Sequence, residues 1–76
     1  MIVQKDQMVI GNYGAMEPIA EGTIIKVHTR VTDNAHIRIA TILWDEGDTQ
    51  EIDENEIMEP GERSANGSQI GIHIVR

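Results

Sequence analysis

The sequence predicts an all-β domain: a small five-stranded barrel with a long first loop and a short 3-10 turn before the last strand. Three observations predict it. The apolar residues are mostly β-branched: the 76 residues include no Phe, one Trp, one Tyr and a single Leu, Leu43, while Ile and Val dominate. Such side chains fit a pleated surface and lose rotamer freedom in a helix. Apolar and polar residues alternate along two long stretches, Thr23 to Val31 and Ala35 onward, as half-buried strands require. Clusters of Gly, Asn and Asp punctuate these stretches as turns do. Residues 1–76 make one domain with a small core, so nearly every large apolar side chain must be buried.

Taken in order, Met8-Val9-Ile10 is a first strand closed by Gly11-Asn12-Tyr13-Gly14. Residues 11–22 hold Pro18 and no regular period, and read as a long loop pinned by Met16 and Ile19 turning inward. In the strand from Thr23 to Val31, Ile25, Val27, Thr29 and Val31 share the core face, leaving Ile24, Lys26, His28 and Arg30 outside. A three-residue loop, Thr32 to Asn34, keeps core face opposite core face, with Asn34 left-handed. It sets Val27 opposite Ile39, Thr29 opposite Ile37, His28 opposite Arg38 and Arg30 opposite His36. In the next strand the apolar positions switch from odd (Ile37, Ile39) to even (Ala40, Ile42, Trp44). Either both faces are covered from residue 40 onward, or a bulge near Ala40 shifts the face. Asp45 to Asp48 is a tight turn with Gly47 at positive φ, and Thr49 to Ile52 is a strand. Asp53 caps a 3-10 turn, after which Ile57 and Met58 drop into the core. Residues 59–68 have little to bury and read as a mobile loop. Gln69 to Val75 is the last strand, with Ile70, Ile72 and Ile74 on one face. Its few charges make it an edge suited to self-pairing into a homodimer.

This succession describes a small SH3-like barrel. The run Glu21-Gly22-Thr23-Ile24-Ile25-Lys26-Val27 resembles the G-x-x-V strand of Tudor-like and KOW-like barrels. Ala40-Thr41-Ile42-Leu43-Trp44-Asp45-Glu46-Gly47, followed by Glu51-Ile52 and Ile57, is similar to the Tudor pattern of a strand ending in an aromatic and an acidic turn. The resemblance spans residues 21–58 and implies a fold, since unrelated functions share it.

The net charge is −7, but it is localised. Residues 1–44 hold four acids and four bases, residues 45–62 nine acids and no base, and residues 63–76 two bases. The acidity argues against a protein that tracks nucleic-acid phosphates. Without Cys there is no disulfide framework, thiolate metal site or thiol nucleophile, which fits a cytoplasmic setting. No stretch approaches the roughly 20 apolar residues that span a bilayer. His28, His36 and His73 lack a carboxylate at ligand spacing, and the acidic segment lacks the order of a calcium loop, so neither metal nor cofactor is expected. Nothing specifies a catalytic arrangement.

Two charged surfaces remain. Lys26, His28, Arg30, His36 and Arg38 would form a basic strip on the hairpin. Asp45, Asp48, Glu51, Glu54 and Glu56 would form an acidic face beyond it. Two rings, Tyr13 and Trp44, are too few for an aromatic cage, so Trp44 reads as core closure and Tyr13 as a loop cap. The expectation is a non-enzymatic binding module whose partner is a protein. The alternative is an acidic nucleic-acid mimic, of the kind phages and mobile elements use as inhibitors, acting through residues 45–62. A third reading is nucleic-acid contact through the basic strip.

Overall fold

A computed structural model describes residues 3–14, 19–59 and 70–75. Met16, and nearly all of the 59–68 loop, fall outside them. Six strands are formed: β1 (Met8–Asn12), β2 (Ala20–Val31), β3 (His36–Trp44), β4 (Thr49–Asp53), β5 (Ile57–Met58) and β6 (Gly71–Ile74), with a 3-10 turn at Glu54–Glu56. They make one curled sheet in the order β4-β3-β2-β1-β6-β5, antiparallel except for the β5–β6 pair. The sixth strand beyond the expected five is β5, where Ile57 and Met58 pair with Ile72 and His73. The first loop is shorter than expected, because Gly11 to Asn12 extend β1 and Ala20 to Gly22 open β2. Ile19 is exposed instead of turned inward.

Curling brings the inner faces of the strands together. Val9 from β1, Ile24 from β2, Ala40, Ile42 and Trp44 from β3, Ile57 from β5, and Ile72 and Ile74 from β6 form one buried cluster. Val3, ahead of β1, is fully buried and joins it, and Ile52 packs against it from β4. Ile70 was expected in this set but is half exposed.

The register shift lies in β2, at Ile25, and there is no bulge near Ala40, where β3 pairs without interruption on both sides. Ile24 pairs with Ile42, and the next β2 residue in register is Lys26, opposite Thr41. Ile25 is therefore an extra residue, a β-bulge. Ahead of it the even positions Gly22 and Ile24 point inward; after it Val27, opposite Ala40, does. The expected assignment of faces thus fails at its first apolar pair: Ile24 is 0% exposed and Ile25 38%. The bulge falls just past Thr23, the last β2 residue paired with β1, while β3 pairs with β2 on both sides of it. Ile24 still donates to the Gln7 carbonyl at 2.8 Å and accepts from the Asp6 N–H at 2.7 Å.

The same residue changes the hairpin. The loop has four residues, Thr32 to Ala35, closed by the Thr32 N–H donating to the Ala35 carbonyl at 2.8 Å and the Ala35 N–H donating to Thr32 Oγ1 at 3.1 Å. Asn34 is not left-handed; among the described non-glycine residues only Asp6 has positive φ. Val31 faces His36, Thr29 faces Arg38 and Val27 faces Ala40, one residue from the expected register. An unbroken β2 would need the three-residue loop to match faces; the bulge absorbs the odd residue and makes the longer loop consistent.

The acidic turn forms as expected. The Gly47 N–H donates to the Trp44 carbonyl at 2.8 Å, and Gly47 takes φ +99°. Asp53 caps the 3-10 turn, its carboxylate accepting from the Asn55 N–H at 2.8 Å. The C-terminal strand is no free edge: β6 lies between β1 and β5, and among the described residues β4 and β5 end the sheet.

Trp44 lies across two glycines. A methyl group on Gly22, its partner on β2, would stand 2.8 Å from both Trp44 Cε3 and Ile42 Cγ2. Gly22→Ala is therefore expected to lower stability by about 1–3 kcal/mol through overpacking. Thermal unfolding tests this; an unchanged midpoint would show that the indole does not rest on Gly22.

Candidate functional site

The indole that closes the core also builds a surface hollow. Trp44 is only 9% exposed, and its Nε1 donates to Gln50 Oε1 at 3.0 Å, which fixes the ring. On β1, Gly11 would place a methyl group 3.0 Å from Trp44 Cη2 and 3.1 Å from Tyr13 Cε2. Gly11 is thus the floor on which both rings converge, and only a residue without Cβ leaves them room. Tyr13, Ala20, Trp44, Glu46 and Asp48 line a hollow of about 150 Å³ there. Two ring surfaces and two carboxylates suit a cationic side chain, which ring faces and anions both attract.

Tyr13 also borders a wider groove of about 440 Å³. One wall is β4, with Gln50 and Ile52; the other is Met58, Ile70 and Ile72 from β5 and around β6; Asn55 and Glu56 of the 3-10 turn close the end. The groove is the seam of the curled sheet, where its two terminal strands approach without pairing. Tyr13 is 48% and Ile70 52% exposed, so apolar surface stands open beside carboxylates.

The expected basic strip does not assemble. Lys26, His28 and Arg30 lie on the outer face, opposite Thr41, Ile39 and Ile37, while His36 and Arg38 pair with Val31 and Thr29 on the inner side. On that outer face Glu51 stands across β3, with its Oε2 3.6 Å from His28 Nε2. Arg38 is committed elsewhere. Its Nε donates to Glu54 Oε2 at 2.9 Å and its Nη2 to the Val3 carbonyl at 2.7 Å. The Val3 N–H donates to the same Glu54 oxygen at 2.9 Å. That N–H, opposed by partial burial and aided by Arg38, holds the Glu54 carboxyl below its ordinary value.

The acidic residues separate as well. Asp45 and Asp48 sit at the β3–β4 turn, Asp48 in the hollow, with the Asp45 N–H donating to the Glu21 carbonyl at 2.9 Å. Glu51 faces outward, Glu54 is held by Arg38 and the Val3 N–H, and Glu56 borders the groove. Of the sequence-derived candidates, Asp48 and Glu56 border this trough of hollow and groove. Tyr13, Glu46, Ile52, Met58 and Ile70 were missed as a set, because no local pattern joins residues so far apart. Only the aromatic and glycine content near residues 11–13 and 44 hinted at them.

Among the described residues, no group of three His, Asp or Glu side chains is placed to hold a metal ion, and no helix is long and apolar enough to cross a membrane. No known family model matches the chain, nor does any curated protein or solved structure.

Proposed function

We propose that the chain is a non-enzymatic binding module on an SH3-like barrel of the Tudor-like or KOW-like kind, and that its partner is a protein. A sheet running from β4 through β3, β2 and β1 to β6, with a 3-10 turn after β4, supports the finer fold reading. One observation carries the function: hollow and groove lie on either side of Tyr13, a trough whose apolar walls are rimmed by Glu46, Asp48 and Glu56. That chemistry fits a partner segment bearing apolar side chains and at least one cation. The carboxylate rim repels phosphates, which speaks against nucleic acid. An acidic mimic needs its carboxylates in one row, whereas Glu51, Glu54 and Glu56 serve three separate surroundings. A cytoplasmic setting accords with a Cys-free core held by aliphatic packing and one indole.

A peptide array tests the reading. Signal should concentrate on peptides that combine Arg or Lys with Val or Ile. Tyr13→Ala and Asp48→Lys should each weaken binding about tenfold or more while retaining the wild-type fold. Peptide binding that ignores both substitutions would refute the trough as the docking surface.

A further inference from the structure

Resting on that reading, we infer that the partner segment binds as an added β-strand on the β4 edge that pairs with no described strand, laying alternate side chains into the trough. β4 ends the sheet, and its pairing sets which groups are free. The Trp44 N–H donates to the Asp48 carbonyl at 2.8 Å. In an antiparallel ladder that bonding recurs at every second residue, so Gln50 and Ile52 bond towards β3 through their partners Ile42 and Ala40. Thr49 and Glu51 then direct N–H and C=O outward, a template for another strand. The side chains follow the same alternation. Asp48, Gln50 and Ile52 point to the trough side, and all three line it.

An antiparallel segment paired with this edge meets those three positions with every second residue. The residue opposite Ile52 enters the apolar groove beside Met58 and Ile70. The residue opposite Asp48, four further on, reaches the hollow between Tyr13 and Trp44, where Glu46 and Asp48 call for a cation. The ligand is an extended segment with an apolar residue four positions before an Arg or Lys. Charge selects this occupant over a second copy of the chain. Glu51 and Asp53 stand on β4 and Asp48 just ahead of it, and residues 45–62 contain no base, so two such edges repel each other and attract a basic strand.

The probes are the capped peptide Ile-Thr-Val-Thr-Arg and two N-methylated forms, titrated against the full chain by calorimetry. Amide exchange at Thr49 and Glu51 is followed in parallel. In antiparallel addition the two Thr residues face Thr49 and Glu51 and exchange hydrogen bonds with them. N-methylation of these Thr amides should weaken binding about tenfold or more, since each removes a hydrogen bond. N-methylation of Val, whose amide points away from the edge, should leave affinity near that of the parent, and exchange at Thr49 and Glu51 should slow on binding. Binding that depends on Tyr13 and Asp48 but tolerates both methylation patterns would overturn strand addition and leave the trough as the docking surface. No binding by the peptide or by any array member would overturn both. Slow exchange at Thr49 and Glu51 without peptide, with a concentration-dependent rise in mass, would assign the edge to a second copy and overturn the inference.

Discussion

Ile24→Ala is expected to lower unfolding stability by about 2–5 kcal/mol, the range for truncating a fully buried aliphatic side chain. Ile25→Ala should change it by no more than about 1 kcal/mol. The two residues are chemically identical neighbours, and the difference comes from the bulge alone. Ile24 is enclosed between β1 and β3 in the central cluster, whereas Ile25 is the extra residue and stands largely in solvent. A domain of this size holds only about 4–11 kcal/mol in total, so the Ile24 variant would be unfolded over much of a urea titration. If Ile25 proved the costly position, β2 would alternate without interruption. Gly22 and Ile24 would then turn outward.

Glu54→Ala should cost about 2–3 kcal/mol, because it strands two donors at once. The Val3 N–H and Arg38 Nε both donate to one Glu54 oxygen, and Arg38 also holds the Val3 carbonyl. Together they tie the segment before β1 to β3 and the 3-10 turn, and they seat the fully buried Val3 in the core. The Arg38 side chain is 40% exposed, so solvent screens part of the ion pair and the expected loss stays below the sum for two charged hydrogen bonds. The pH dependence follows from the same geometry. The folded carboxyl sits below its ordinary value of 4.5, so its contribution is fully present above that pH. It is lost as pH falls through the lower folded value, where the native state must also take up the proton. Glu54→Gln keeps an acceptor but no charge, and should flatten the decline in stability below about pH 4.5. Urea midpoints between pH 3 and 7 measure this, in the range where carboxylates titrate. A decline of equal slope in wild type and Glu54→Gln would assign the acid sensitivity to other carboxylates.

The legible parts of the fold are those with local causes. The Asp45–Gly47 turn needed a residue tolerant of positive φ, and Gly47 provides it. The Asp53 cap needed a short acceptor two residues ahead of the Asn55 N–H. Trp44 was legible as core because a chain with so few large side chains must bury its one indole. The faces of β2 were not. Ile24-Ile25 offers apolar residues to both sides, and period-two reasoning cannot tell which one is skipped until the pairing partners are known. That single residue moved the register, placed the bulge in β2 and divided the expected basic strip between two faces.

By itself, the sequence determined the class of structure and the chemistry available to it: β-branched residues in alternating runs compel a sheet, and the charge imbalance after residue 44 compels an acidic rim on one part of it. Only the tertiary structure decided where function can lie. Gly11, Tyr13 and Trp44 converge because β1, β2 and β3 are adjacent in the sheet, and the groove exists because β4 and β5 end that sheet without meeting. Both facts depend on which strands become neighbours and on how far the sheet curls. Those are set by the joint burial of residues distant in the chain, which local propensity does not encode.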